Sequence, residues 1–102
     1  DVSVNHKINS VIQTTDGGYI VGTGSEDSYG HLIKFNSSGS QQWDVSVNHK
    51  INSVIQTTDG GYIVGTGSKD SYGHLIKFNS SGSQQWDVSV NYKINSMNTI
   101  SK

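Results

Sequence analysis

The sequence contains no cysteine and no proline among its 102 residues. Without cysteine, a disulfide framework and a thiolate metal site are excluded. No apolar run is long enough to predict a signal peptide or a membrane-spanning helix, so we expect no membrane partner. The seven basic residues are scattered and the formal net charge is −1. Binding to nucleic acid requires clustered cations, so we expect no nucleic-acid partner.

Hydrophobic residues are also few, at 31% of the chain, while glycine occurs twelve times. Such a composition is found in disordered chains, but the pattern here predicts folded β structure. The apolar residues occur in short runs rich in β-branched and aromatic types, and glycine-containing turns separate the runs.

The chain is an internal repeat. Residues 1–43 are followed at once by a copy, residues 44–86, and the copies differ only at Glu26 and Lys69. A third copy begins at residue 87 and diverges before the last residue, 102.

Each copy contains four runs that predict β-strands, which in the first copy are residues 8–14, 19–23, 31–35 and 41–47. The Asp16-Gly17 pair predicts a tight hairpin, and residues 36–39 predict a second one. The fourth run alternates apolar and polar residues, which is typical of an outer strand. A 43-residue unit of four antiparallel strands predicts a β-propeller blade, with a small β-sandwich as the alternative.

This pattern divides the chain into four parts. Residues 1–4 are predicted to form an extra fourth strand, residues 5–47 the first blade and residues 48–90 the second blade. We expect residues 91–102 to be a degenerate partial repeat that caps the second blade, with strand donation to another chain as the alternative.

Two stretches of each copy resemble a known kind of repeat. DGGYIVGTGS (residues 16–25) and GHLIKFNSSGSQQW (residues 30–43) resemble the DGGY…G…LIK…G…W repeats of β-propellers, which are widespread in secreted and surface proteins of bacteria and archaea. The resemblance implies an all-β propeller fold and favours an extracellular or cell-surface location. It implies no particular activity and no cofactor, because propellers serve many functions.

The segment FNSSGSQQW is also similar to the tryptophan-docking motif of quinoprotein (PQQ-like) propellers, although Asn36 and Ser38 replace the usual Asp and Thr. In that family, a Trp four residues after a turn glycine packs between neighbouring blades. The similarity implies inter-blade roles for two pairs, Gly39 with Trp43 and Gly82 with Trp86.

Two blades leave two apolar faces without a neighbour, so we predict that the chain associates with copies of itself. Three chains would supply six blades and four would supply eight, and the tryptophan motif favours eight. An assembly that does not close would be an open filament. The alternative is that these residues are a fragment of a longer repeat chain.

In a propeller, the connections between blades and the loops between second and third strands lie on one face. Their polar and aromatic side chains suit the hydroxyl groups of a glycan. The alternative is that these loops are polar only because they are solvated. The candidate ligand-binding residues are His6, Lys7, Asp27, Tyr29 and His31 in the first copy, and His49, Lys50, Asp70, Tyr72 and His74 in the second. The spacing predicts neither a metal site nor a catalytic arrangement.

The sequence therefore predicts a non-enzymatic, self-assembling β-propeller scaffold, either a recent natural duplication or an engineered symmetric repeat protein. One alternative is an oligomeric lectin that binds carbohydrate at the loops between blades. Another is an extracellular filament formed by exchange of strands or blades.

Overall fold

The computed structural model describes residues 2–25, 29–68 and 72–97, and the all-β prediction is confirmed. The strands are β1 (Ile8–Gln13), β2 (Tyr19–Thr23), β3 (Gly30–Phe35), β4 (Gln41–Val47), β5 (Ile51–Gln56), β6 (Tyr62–Thr66), β7 (Gly73–Phe78) and β8 (Gln84–Val90). Within the described ranges there is no helix, and thus none long and apolar enough to cross a membrane.

The strands form two four-stranded antiparallel sheets. Sheet 1 has the order β1-β2-β3-β4 and sheet 2 the order β5-β6-β7-β8, so each repeat folds as a meander. Equivalent residues pair in the same register, as Val21 with Ile33 in sheet 1 and Val64 with Ile76 in sheet 2. The two sheets do not close into a ring within the chain.

The hairpin turns lie where the sequence predicts them. Gly17 has a φ of 85°, a left-handed conformation that glycine adopts without a Cβ clash, and its N–H donates to Thr14 O at 3.0 Å. Because Thr14 belongs to this turn, β1 ends at Gln13, one residue earlier than the sequence predicts.

Each sheet has two different apolar faces, which we call face A and face B. In sheet 1, face A carries Ile12, Ile20, Leu32, Trp43, Val45 and Val47, and face B carries Ile8, Val11, Tyr19, Val21, Ile33 and Phe35. In sheet 2, the same faces carry the residues 43 positions further along the chain. These two faces explain why the first three strands of each repeat are apolar on both sides.

The main core lies between the sheets, where face A of sheet 1 packs against face B of sheet 2. It includes Ile20, Leu32 and Val47 from sheet 1, together with Ile51, Val54, Tyr62, Val64, Ile76 and Phe78 from sheet 2. Strand β5 contacts β1 and β2 in this core. Face B of sheet 1 and face A of sheet 2 are therefore the outer faces of the pair.

A short partial repeat contacts each outer face. Residues 2–4, which belong to the predicted extra fourth strand at residues 1–4, form no strand within the described chain. A strand requires a neighbour with which to exchange hydrogen bonds; residues 2–4 instead lie on face B of sheet 1, where Val4 packs against Val21 and Phe35. On face A of sheet 2, Ile94 packs against Gly65.

Candidate functional site

Each sheet contains an ion pair between a buried lysine and an exposed aspartate, which links its first hairpin to its third strand. Lys34, on β3, is buried, and its Nζ lies 3.1 Å from Asp16 Oδ2 and donates to Phe35 O at 3.1 Å. Asp16 also accepts from Thr14 Oγ1 and from Gly18 N–H. These hydrogen bonds, led by that from Thr14, lower the pKa of Asp16 to about 2.

Asp59 and Lys77 repeat this arrangement in sheet 2, and the pKa of Asp59 is likewise lowered to about 2, with Thr57 as the leading cause. The Asp of the DGGY segment and the Lys of the LIK segment are thus partners that link the first hairpin turn to the third strand. A carboxylate with so low a pKa is a poor general base near neutral pH, because it binds a proton too weakly.

Trp43 lies between the two sheets. Its ring makes an edge contact with Tyr62, with 6.0 Å between ring centroids. A Cβ placed on Gly82 would lie 2.9 Å from Cδ2 of Trp43, so only glycine admits the indole at this turn. Trp86, at the equivalent position of sheet 2, is 44% exposed.

Polar side chains also bridge the sheets through backbone groups. Asn9 Nδ2 donates to Gly24 O at 2.9 Å within sheet 1 and to Ile51 O at 2.8 Å in sheet 2. Ser10 Oγ accepts from Val54 N–H at 3.3 Å. The roles of Asn9 and Ser10 are not among the predictions from the sequence. The signal for them is a pair of adjacent polar residues inside an otherwise apolar strand, repeated in every copy.

Equivalent face B residues differ greatly in exposure between the two sheets. The exposed fractions are 44% for Ile8 against 0% for Ile51, 54% for Val11 against 1% for Val54, and 39% for Tyr19 against 2% for Tyr62. The residues are identical in type, so the difference comes from what packs against them. Sheet 1 covers face B of sheet 2, whereas among the described residues face B of sheet 1 meets only the short segment 2–4. An open apolar groove remains there, lined by Val2, Val4, Ile8, Tyr19 and Phe35.

Four of the predicted binding residues form two stacked histidine pairs at one end of the sheets. The rings of His6 and His31 stack with centroids 4.0 Å apart, and so do those of His49 and His74. The Nδ1 atom of His31 lies 2.8 Å from Asp44 Oδ1.

The second pair carries a resolved pKa shift. Partial burial, followed by the charge of His74, lowers the pKa of His49 below its ordinary value of 6.5, and Asp87 opposes this effect. Partial burial and the stacked ring of His74 therefore both disfavour the protonated imidazole at His49.

The remaining predicted binding residues are less closely grouped. Tyr29 and Tyr72 are exposed, each directly before the third strand of its sheet. Gly30 N–H donates to His49 O at 3.0 Å, which places Tyr29 beside the connection that carries His49. Lys7 O and Lys50 O accept hydrogen bonds from Gly24 N–H and Gly67 N–H. Asp27 and Asp70 lie outside the described residues.

The described residues contain no group of three or more His, Cys, Asp or Glu side chains placed to hold a metal ion. The two His-His-Asp arrangements have a base and an orienting carboxylate, but no Ser, Thr or Cys is hydrogen-bonded to either imidazole among the hydrogen bonds of the described chain. In nucleophilic catalysis such a third group supplies the attacking atom.

Comparison with known proteins identifies the fold alone. No protein-family model matches the sequence, and no curated protein is similar to it. Among solved structures, the chain is similar to a protein of unknown function from Bacteroides caccae, with a TM-score of 0.65 and 14% sequence identity. The match covers 86% of this chain and 30% of that protein, so this chain spans less than a third of the length of the protein that it matches.

Proposed function

We propose that this chain is a non-enzymatic, self-assembling module whose two sheets are blades of a β-propeller completed by further copies of the chain. Face A of sheet 2 on one chain would pack against face B of sheet 1 on the next. The observation that carries the proposal is the contact between face A of sheet 1 and face B of sheet 2, because both outer faces present the same residue types.

Size and exposure indicate how strong one such contact would be. Five of the exposed apolar residues would be covered, namely Ile8, Val11, Tyr19, Trp86 and Val88. Each is about half exposed, so its burial contributes roughly 1 kcal/mol, or about 5 kcal/mol in total. Association costs about 4–15 kcal/mol in lost freedom, so a single contact between two chains is weak.

Closure changes this balance. The last contact of a ring forms between chains that are already held, so it adds burial without immobilising another chain. A head-to-tail contact of this type closes into a ring if the rotation per chain allows it, and otherwise continues as a filament. We propose a closed ring, because ring closure supplies the stability that one contact lacks. The tryptophan motif favours four chains over three.

The test uses two variants that each block one outer face. Tyr19→Asp places a charge on face B of sheet 1, and Trp86→Asp places one on face A of sheet 2. The Tyr19→Asp chain keeps only face A of sheet 2, and the Trp86→Asp chain keeps only face B of sheet 1. Since association needs one face of each kind, each variant alone should be monomeric. Because this single contact is weak, the mixture of the two variants should show a rise in weight-average mass towards a 1:1 dimer only as the concentration approaches about 1 mM, as measured by light scattering.

The matched control is the Tyr19→Asp chain alone at the same total concentration, which should remain monomeric. Circular dichroism checks that each variant folds. If the mixture of the two different variants shows no rise in mass at about 1 mM while both are folded, head-to-tail association of these faces is wrong.

A second candidate function, glycan binding, is favoured by one observation. Tyr29 and Tyr72 present exposed rings at equivalent positions, next to the polar histidine end. Aromatic rings flanked by polar groups suit the face and hydroxyls of a sugar, and repetition around a ring would add avidity. Binding on a glycan array that is lost in the Tyr29→Ala, Tyr72→Ala double variant would support this function; no binding on a broad array would contradict it.

A further inference from the structure

Sheet 1 holds the start of sheet 2 through a small recognition surface. The side chain of Ile51 lies over Gly22, so closely that a Cβ placed on Gly22 would be 2.5 Å from Ile51 Cγ2. Asn9 Nδ2 donates to Ile51 O at 2.8 Å, and Ser10 Oγ accepts from Val54 N–H at 3.3 Å. Sheet 1 thus contacts one isoleucine side chain and hydrogen-bonds two backbone groups of sheet 2.

Sheet 2 carries the same surface, which we call the Ile-Asn-Ser groove and define by Asn52, Ser53 and Gly65. It is occupied by the third partial repeat. A Cβ placed on Gly65 would be 2.5 Å from Ile94 Cγ2, and Asn52 Nδ2 donates to Ile94 O at 2.8 Å. Ser53 Oγ accepts from Met97 N–H at 3.0 Å. Every contact of the first recognition surface is therefore repeated.

A second copy of the chain offers a segment that fits the groove equally well. Residues 8–11 have the sequence INSV, identical to residues 51–54, which occupy the equivalent surface of sheet 1; residues 94–97 have the sequence INSM. On sheet 1, Ile8 and Val11 are the face B residues that remain about half exposed. Residues 8–11 of another copy thus have the sequence of the segment that occupies the equivalent surface of sheet 1, and the side chains of Ile8 and Val11 are accessible.

The two candidate occupants differ in what they bring with them. Residues 94–97 do not belong to any strand in the described chain, so they contribute only their own contacts. Residues 8–11 are part of β1 and are fixed within a four-stranded sheet. A copy that places Ile8 in the groove would also bring Tyr19 to Trp86, as Tyr62 meets Trp43 within the chain.

We propose that the Ile-Asn-Ser groove of sheet 2 is the recognition site for residues 8–11 of a second copy, which displaces residues 94–97 from it. This inference rests on the proposed head-to-tail association and identifies the segment that is recognised. Residues 94–97 act as a tethered competitor, present at a high effective concentration because they belong to the same chain.

The probe is a fluorescently labelled peptide with the sequence of residues 5–13 (NHKINSVIQ), titrated onto the full chain by fluorescence anisotropy. Ile94→Asp removes the tethered competitor, so the peptide should bind about tenfold more tightly than to the unmodified chain. Gly65→Ala fills the groove, so binding should be lost. The three atoms nearest to the added Cβ all belong to Ile94 and Met97, and the substitution leaves sheet 2 itself unstrained.

The matched control peptide carries Ile8→Asp and should not bind any of the three chains. A measurement on the unmodified chain avoids any loss of folding: excess peptide should accelerate hydrogen exchange at the N–H groups of Ile94 and Met97. Equal affinity of the unmodified chain and Ile94→Asp, equal binding of the control peptide, or unchanged exchange would each overturn the inference.

The mass of the mixture of Tyr19→Asp and Trp86→Asp chains, compared with the peptide titration, separates this inference from the proposed function. If the Tyr19→Asp and Trp86→Asp chains form a dimer but the peptide does not bind Ile94→Asp, the association stands and the groove is wrong. If the peptide binds in the expected order but the mixture stays monomeric, the groove recognises the segment and the proposed assembly is wrong.

Discussion

The four strands of sheet 1 have the same sequences as the four strands of sheet 2, yet the two sheets are not equally buried. Tyr62 lies in the core between the sheets, whereas Tyr19, its equivalent, is partly exposed. The repeat determines the local structure, since strands, turns and register recur. Burial depends on the neighbour. In such an array, stability arises at the contacts between repeats as much as within them.

The largest expected difference between the sheets is in the loss of unfolding free energy when the first residue of β1 or of β5 is shortened. Ile51 is fully buried, so Ile51→Ala should lower the free energy of unfolding by about 3 kcal/mol, whereas Ile8→Ala should lower it by less than about 1 kcal/mol. Urea denaturation measures both, at a protein concentration where light scattering shows monomers. Equal losses would contradict the inequality of the two faces.

Substitution of the two tryptophans should affect different properties: Trp43→Ala mainly the stability of the monomer, and Trp86→Ala mainly the association of chains. Trp43 is partly buried between the sheets, so Trp43→Ala should cost about 2 kcal/mol of unfolding free energy. Trp86→Ala should change the unfolding of the monomer by about 0.5 kcal/mol or less. The native mass should respond in the other order, because Trp86 lies on the outer face. Loss of association in Trp43→Ala but not in Trp86→Ala would reverse this assignment.

The bridging asparagines should show a smaller version of the same contrast. Asn9→Ala removes two hydrogen bonds and leaves Ile51 O in the contact between sheets without its amide donor, at a cost of about 1.5 kcal/mol. Asn52→Ala removes the equivalent bonds, one of which holds only the partial repeat at Ile94, and should cost about half as much in the monomer. Asn5→Ala, at an exposed position, is the control. Identical costs at positions 9 and 52 would show that the short segment is held as firmly as a whole sheet.

The smallest expected effect is the pH dependence contributed by His49. Its pKa is lowered in the folded chain, so the unfolded chain binds more protons once the pH falls below the ordinary value of 6.5. Stability from this group is therefore present above that pH and decreases as the pH falls through the window below it. His49→Asn should flatten this part of the stability curve, measured by urea denaturation at pH 7.5, 6.5 and 5.5.

Asp16 and Asp59 provide the control for that experiment. Their folded pKa values of about 2, against the ordinary 3.8, place their loss of stability at more acidic pH. Asp16→Asn should therefore leave the slope between pH 7.5 and 5.5 unchanged. A slope in His49→Asn equal to that of the unmodified chain would rule out this role for the imidazole.

The sequence predicts the strands well because their signals are local. The period of the repeat, the Asp-Gly turns and the alternation around Trp43 each depend on a few adjacent residues. Residues 2–4 have the sequence of the last three residues of β4 and β8 but form no strand within the described chain, because a strand also needs a partner, which local sequence does not supply.

Contacts over longer distances were not predictable in the same way. The pairing of Asp16 with Lys34 joins residues on different strands, and Asn9 reaches a carbonyl one repeat away. The exposures of Tyr19 and Tyr62 cannot be separated from sequence, since the two residues have the same strand neighbours. The stacking of His6 on His31 was predicted only as proximity of the loop and strand that carry them.

The most direct test of self-complementary outer faces is the native mass of the unmodified chain, measured by light scattering after size-exclusion chromatography over a range of concentrations. We expect one species of four chains, or of three, in which both outer faces are covered. A folded monomer at every concentration would show that face A of sheet 2 and face B of sheet 1 do not bind each other.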